Sequence, residues 1–194
     1  MPRWIVLSVR WIEAFNYRVG RLALWLFFVL AAILLWAIFA KALSRLPLWG
    51  IETEPGTFLA WFVATFKPVF RPPLWTQEMA QYTLVAYFML GGAYSLQLGA
   101  NVRMDLLWQA WTPRRRAGAD AITVFAMIFF LAVLLYGGIE STIYAFEFGE
   151  RSRSVWRPYL APVKIVICVG AVMMILQSLC ILARDVATLR GVKI

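Results

Sequence analysis

Residues 22–40 read LALWLFFVLAAILLWAIFA, an uncharged run bounded by Arg21 and Lys41. A helix rises about 1.5 Å per residue, so a run of this length nearly matches the roughly 30 Å of hydrocarbon in a bilayer. Three more uncharged runs follow at 79–102, 121–139 and 165–183, each rich in Leu, Val, Phe or Ile. The expected fold is therefore an all-α integral membrane protein, with four transmembrane helices in a single membrane domain over 1–194.

Composition agrees with that expectation. Of the 194 residues, 62% are hydrophobic and 15% charged, whereas a soluble domain is nearer half apolar. The net charge is +9 with no histidine. The basic residues flank apolar runs instead of forming a separate basic domain, which points to a membrane and away from nucleic acid. Cys168 and Cys180 share one apolar run. Along a helix they lie about 18 Å apart, too far for a disulfide, so they read as packing residues. The opening MPRWIVLSVRWIEAF is broken by Arg10 and Glu13 and precedes no small-x-small cleavage site. It is expected to be retained rather than removed as a signal.

The flanking charges orient the spans. One side collects the N-terminal segment, the link between spans two and three, and the tail from Arg184, with eleven Lys/Arg and net +7. The other side holds 41–78 and 140–164, with eight Lys/Arg and net +2. Positive charge favours the cytoplasm, so both termini are expected there, in a bacterial inner membrane. Arg103, Arg114, Arg115 and Arg116 fall in the one inter-helix link on that side, where they can hold the central hairpin and bind phospholipid head groups.

Two segments outside the spans also read as helices. Trp4, Leu7, Trp11 and Phe15 recur at three- and four-residue spacing, with Arg3, Arg10, Tyr17 and Arg21 on other faces. This predicts an amphipathic helix over 3–20 lying in the membrane interface. The stretch 55–68, PGTFLAWFVATFKP, is too short to cross. Phe58, Trp61, Phe62 and Phe66 make it an interfacial or re-entrant segment on the outer side.

Several chemistries are excluded. Without histidine there is no bis-histidine haem site. There is no C-x-x-C, Gly-rich phosphate loop, zinc pattern or nucleophile motif, so neither an enzyme nor a cofactor is expected. The four runs contain no charge. Glu78, Glu140 and Lys164 border them, where such side chains snorkel or pair. Gln81, Gln97 and Gln177 read as helix-to-helix hydrogen-bonding groups. Gly91, Ser95 and Gly99 follow at four-residue spacing, as do Gly137, Ser141 and Ala145. Small faces of this kind allow close approach of a partner helix.

The order of short motifs resembles one family. Trp75 and Glu78 match a W-x-x-E at the start of span two. Asn101, Val102, Arg103, Met104 and Asp105 match an H-[VI]-R-[VM]-D-like motif after it. Thr112 to Arg116 match a Ser/Thr-Pro-Arg-rich turn opening span three. Glu150, Ser152, Trp156, Pro158, Pro162, Lys164 and Gln177 match an E-x-S…W-x-P…P-x-K…L-Q pattern. Over nearly the whole chain this is similar to the small, DctQ-like membrane subunit of tripartite ATP-independent periplasmic (TRAP) transporters. Asn101 replaces the usual histidine, so no role of that imidazole carries over. Asp105 can cap the following LLWQAW, whose Trp108 and Trp111 suit the interface. Thr112 and Pro113 suit the start of span three.

The resemblance implies an accessory scaffold for a large membrane subunit that carries substrate and sodium, with a periplasmic binding protein delivering an organic acid. Trp4, Trp11, Phe15, Trp75, Glu78, Gly91, Ser95, Gly99, Arg103, Asp105 and the Arg114, Arg115 and Arg116 cluster are the expected contacts to that partner or to lipid. The alternatives are a self-sufficient homo-oligomeric channel or exporter, and a membrane anchor for an enzyme complex.

Overall fold

The computed structural model describes residues 3–45, 57–66, 73–99 and 113–189. Among them are five helices: α1 Arg3–Ser44, α2 Phe58–Phe66, α3 Thr76–Gln97, α4 Pro113–Glu147 and α5 Ala161–Leu189. Among the described residues, three stretches are long and apolar enough to cross a membrane: Val6–Ser44, Ile122–Glu147 and Ala161–Arg184. The run at 79–102 maps onto α3, which has the length but is diluted by Gln77, Glu78, Gln81 and its tyrosines. At 9 residues α2 rises about 13 Å and cannot cross.

The interfacial segment 3–20 and the span 22–40 are one continuous helix in the structure. No proline interrupts the sequence between them, and the single Gly20 is a packing position instead of a break. At 42 residues α1 rises about 63 Å, twice the hydrocarbon thickness. α4, which holds the run at 121–139, also outruns its expected limit. Glu140 does not stop it, because glutamate is a good helix former and here is exposed. The stop comes at Gly149, whose φ of +57° suits the left-handed residue after a helix. Glu150 N–H donates to the Ala145 carbonyl at 3.1 Å and Phe148 N–H to Tyr144 at 3.0 Å, closing the last turn.

The long helices form a row. α1 packs on α3, α3 on α5 and α5 on α4, with a lesser contact from α1 to α5. Gly20 faces Tyr94 and Phe27 meets Tyr87 with ring centroids 6.2 Å apart, so α1 and α3 are antiparallel. Gly170 faces Met89 and Gly92 faces Met174, so α3 and α5 are parallel. Lys164 reaches the Ser141 carbonyl at 3.1 Å and pairs with Glu150, while Cys168 further along α5 faces the earlier Gly138, so α4 runs antiparallel to α5. One end, here called proximal, gathers the start of α1 with the ends of α3 and α5. The distal end holds the start of α3 and the loop 150–160.

Glycines set the spacing. A Cβ on Gly20 would lie 2.3 Å from the Tyr94 Cβ, and one on Gly170 2.8 Å from Met89 backbone atoms. α3 is thereby held against both neighbours at distances that no larger residue allows. Polar bonds fix the proximal end. The Asn16 amide donates to Gln177 Oε1 at 2.8 Å, and Arg184 pairs with Glu13 at 2.5 Å. Asn16 and Gln177 are both almost wholly buried. A bond of this kind between membrane helices contributes about 0.5–1.5 kcal/mol.

Candidate functional site

Three regions gather the residues singled out from the sequence. The first is the outer face of α1. Trp4 is 68%, Trp11 77% and Phe15 51% exposed, and Leu7 shares their stripe. The opposite stripe, with Val9 and Asn16 buried and Glu13 ion-paired, turns inward onto α5. The amphipathic pattern is therefore present with its polar residues used inside the chain and its tryptophans left outside. Asn16 and Glu13 escaped the sequence reading. The signal was a second stripe at helical spacing, Val9, Glu13, Asn16, Gly20 and Ala23, made of small or polar residues.

The second region is the distal loop. Residues 150–160 close on themselves through an antiparallel bridge between Arg151 and Tyr159. Ser152 N–H donates to the Pro158 carbonyl at 2.9 Å and Leu160 N–H to Glu150 at 3.1 Å. The Ser152 hydroxyl donates to Glu78 Oε1 at 3.1 Å, which ties the loop to the first turn of α3. Tyr82 adds a bond from its hydroxyl to the Tyr159 carbonyl at 3.2 Å. Lys164, in the first turn of α5, pairs with Glu150 and also reaches α4. Arg151 lies 4.3 Å over the Tyr159 ring and bonds its hydroxyl. Pro162 falls in the first turn of α5, where its missing N–H costs no helical bond.

This geometry explains the pattern of Glu150, Ser152, Pro158 and Lys164 together with Glu78. They make one clasp joining α3, α4 and α5. Glu78 is 7% exposed, and its Oε2 has no partner among the described residues. Trp75, in the turn before α3, is 39% exposed at the edge of the clasp.

The third region is the small face of α3. Gly91 is open, since a Cβ there would meet nothing within 4 Å, and Ser95 is half-buried beside it. Gly92, the next residue, is the one that packs on α5. Gly99 lies beyond the last helical residue with φ +65° and accommodates the turn that ends α3. The helical stripe thus ends at Ser95. Asn101, Arg103 and Asp105 lie outside the described residues. Arg114, Arg115 and Arg116 fall in the first turns of α4, which begins at Pro113 as the sequence suggests; their side chains are outside the described set. Gln97 closes α3 with a buried Oε1 that has no partner among the described residues.

The clasp predicts a proteolysis phenotype. Arg151 and Arg153 are exposed cleavage points, whereas the bond after Arg157 precedes proline. Glu78→Leu removes the acceptor for Ser152, a loss of about 1.5–3 kcal/mol for a bond to a charged group. Trypsin should then cut purified protein within 151–157 about tenfold faster than the parent. Glu78→Gln keeps an acceptor and should stay within about twofold. Equal rates for all three proteins would show that Glu78 does not hold the loop.

No curated protein and no solved structure matches the chain. A family model does, that of "Tripartite ATP-independent periplasmic transporters, DctQ component", over residues 56–188. The matched stretch takes in α2 to α5 and the whole distal clasp, well over half the chain. The family is a transporter component and not an enzyme. With its long apolar helices, the chain is a multi-pass membrane protein belonging to the DctQ family, the small membrane subunit of TRAP transporters.

Proposed function

We propose that this subunit is a stationary scaffold in a secondary, sodium-driven importer of an organic acid. It would brace a large membrane subunit that holds the transport pathway, while a periplasmic binding protein delivers substrate. The observation that supports this reading is the thinness of the chain. In the most apolar stretch of α5 a third of the residues are buried, against 6% in α1 and 11% in α4. The described helices form a row one helix deep, and among the described residues no route for a solute is enclosed. Its polar side chains join helices to one another, as at Asn16–Gln177 and Glu13–Arg184. Two broad apolar faces are left for lipid and for a partner.

In this reading the chain crosses the bacterial inner membrane four times. α3 has 22 residues, about 33 Å, close to the hydrocarbon thickness. It lies lengthwise between α1 and α5, two helices apolar enough to cross. Its lower hydropathy is tolerable because it borders a neighbour on both sides. Four crossings put both termini on one side, and the arginine-rich links make that side the cytoplasm. The start of α1 would project through the proximal interface, and the α2 segment would lie in the opposite one.

Topology is tested by accessibility. Val155, at the tip of the distal loop, is 79% exposed, and Leu7 is 67% exposed at the other end. In intact cells, Val155→Cys should react with a membrane-impermeant maleimide and Leu7→Cys should not. The reverse pattern, or labelling of both, contradicts the proposed orientation.

Assembly is tested by co-purification. The tagged chain should bring a large polytopic membrane subunit with it. Trp11→Glu puts a charge into an apolar face, at a cost of about 1–3 kcal/mol. It should lower recovery of that subunit about tenfold while the variant still inserts and stays folded. Undiminished recovery would mean that this face of α1 is not the contact. A stable homo-oligomer with no second subunit would favour a channel or exporter.

A further inference from the structure

The contact between α1 and α3 is not continuous. From Phe27 and Tyr87 toward the distal end the two helices close, and Ala40 and Ala80 are buried there. Toward the proximal end, beside the close Gly20–Tyr94 contact, an open groove of about 350 Å³ runs between them, lined by Gly20, Ala23, Leu24, Tyr87, Gly91 and Ser95. Its mouth faces the surroundings, with Leu24 47%, Phe88 63% and Leu98 61% exposed along the rim. The lining is carbon and aromatic ring apart from the Ser95 hydroxyl and the tyrosines. A Cβ on Gly91 would project into open space. The groove is therefore apolar and preformed, and among the described residues nothing fills it.

Its dimensions identify the occupant. The lining runs along α3 from Tyr87 to Leu98, a rise of about 16 Å. That is half of the ~30 Å hydrocarbon core. One end lies at the midpoint of α3 and the other at its C-terminus. A partner helix crossing the membrane would need a groove continuing to Thr76, but Phe27 and Tyr87 close it halfway. An acyl chain of one leaflet needs only this depth.

Charge at the mouth agrees. Tyr17, Arg21 and Leu24 follow one another on α1 at four- and three-residue spacing. The Tyr17 ring meets that of Tyr94, a lining residue, edge-on at 5.7 Å. The Arg21 guanidinium lies 5.8 Å from the Tyr17 centroid. Arg10 and Arg18 are exposed on the same helix. Among the described residues the ion pairs are Lys164 with Glu150 and Arg184 with Glu13, and no described carboxylate pairs with Arg21. Arg21 follows Gly20, level with Tyr94; its long side chain can snorkel toward the proximal interface, and a guanidinium beside an acyl-sized groove suits a phosphodiester.

We propose that the α1–α3 groove is a phospholipid site. It seats one acyl chain of an anionic lipid from the proximal leaflet, with the phosphate on Arg21. The lipid completes the surface of α3 that the chain leaves open at Gly91.

The test is native mass spectrometry of the full chain, released from detergent micelles after exchange with either phosphatidylglycerol or phosphatidylcholine. The parent protein should retain one phosphatidylglycerol in preference to phosphatidylcholine. Gly91→Phe fills the groove and should lower retention of both lipids at least about fivefold. Arg21→Gln should abolish the preference while leaving an acyl chain bound. Gly137→Phe, at a position on α4 that is equally open, should change neither. Circular dichroism of the purified variants confirms that each is folded. Unchanged retention in Gly91→Phe would overturn the site, as would an equal loss in Gly137→Phe. Unchanged lipid retention together with loss of the large subunit in Gly91→Phe would assign the groove to a protein partner, and would also overturn it.

Discussion

The close approach of α3 to α1 and to α5 is the constraint on which the rest of the structure depends. Gly20 against Tyr94 and Gly170 against Met89 leave no room for a Cβ. These contacts draw a moderately polar helix into the middle of a row whose other members are strongly apolar. Once α3 is fixed, the distal clasp can form, because Glu78 in its first turn meets Ser152 in the loop before α5. The proximal end is fixed independently by Asn16 on Gln177 and Glu13 on Arg184. Each end thus has a polar lock, and the apolar length between them is held by packing at small residues.

A row has consequences that a closed bundle would not. The flanking helices α1 and α4 keep most of their surface outside, and aromatic residues fill it: Trp25 and Phe28 on α1, Phe125, Phe129 and Tyr136 on α4. Within a membrane such faces are compatible with lipid, and they are equally available to a larger partner. In the proposed reading, a chain built in this way contributes position and its partner the pathway. Membership of the DctQ family places it in a tripartite transporter, where a bracing role is consistent with its thin architecture.

The apolar runs at 22–40, 121–139 and 165–183 were legible because absence of charge over about 20 residues has few other meanings. So was the exposed stripe of Trp4, Leu7, Trp11 and Phe15, since 3.6-residue periodicity is a local property. Lys164 reads as a span-end residue that snorkels or pairs, and of the two it pairs, with Glu150. Other features depend on tertiary contacts. Arg21 looked like a boundary, yet α1 continues through it. Glu140 looked like an end, but only Gly149 with its positive φ stops α4. The choice between Gly91 and Gly92 as the packing face is a matter of helix rotation, which spacing alone does not set. Gln177 was assigned a helix-to-helix bond without a partner; Asn16 became visible as that partner only once α1 and α5 were side by side.

Reconstitution addresses the central claim most directly. The measurement is uptake of radiolabelled organic acids into liposomes under an inward sodium gradient, with this chain alone, and with the co-purified large subunit and binding protein. The scaffold account predicts no uptake by the chain alone, uptake by the full set, and loss of that uptake when this chain is left out. Gradient-driven uptake by the isolated chain would contradict it.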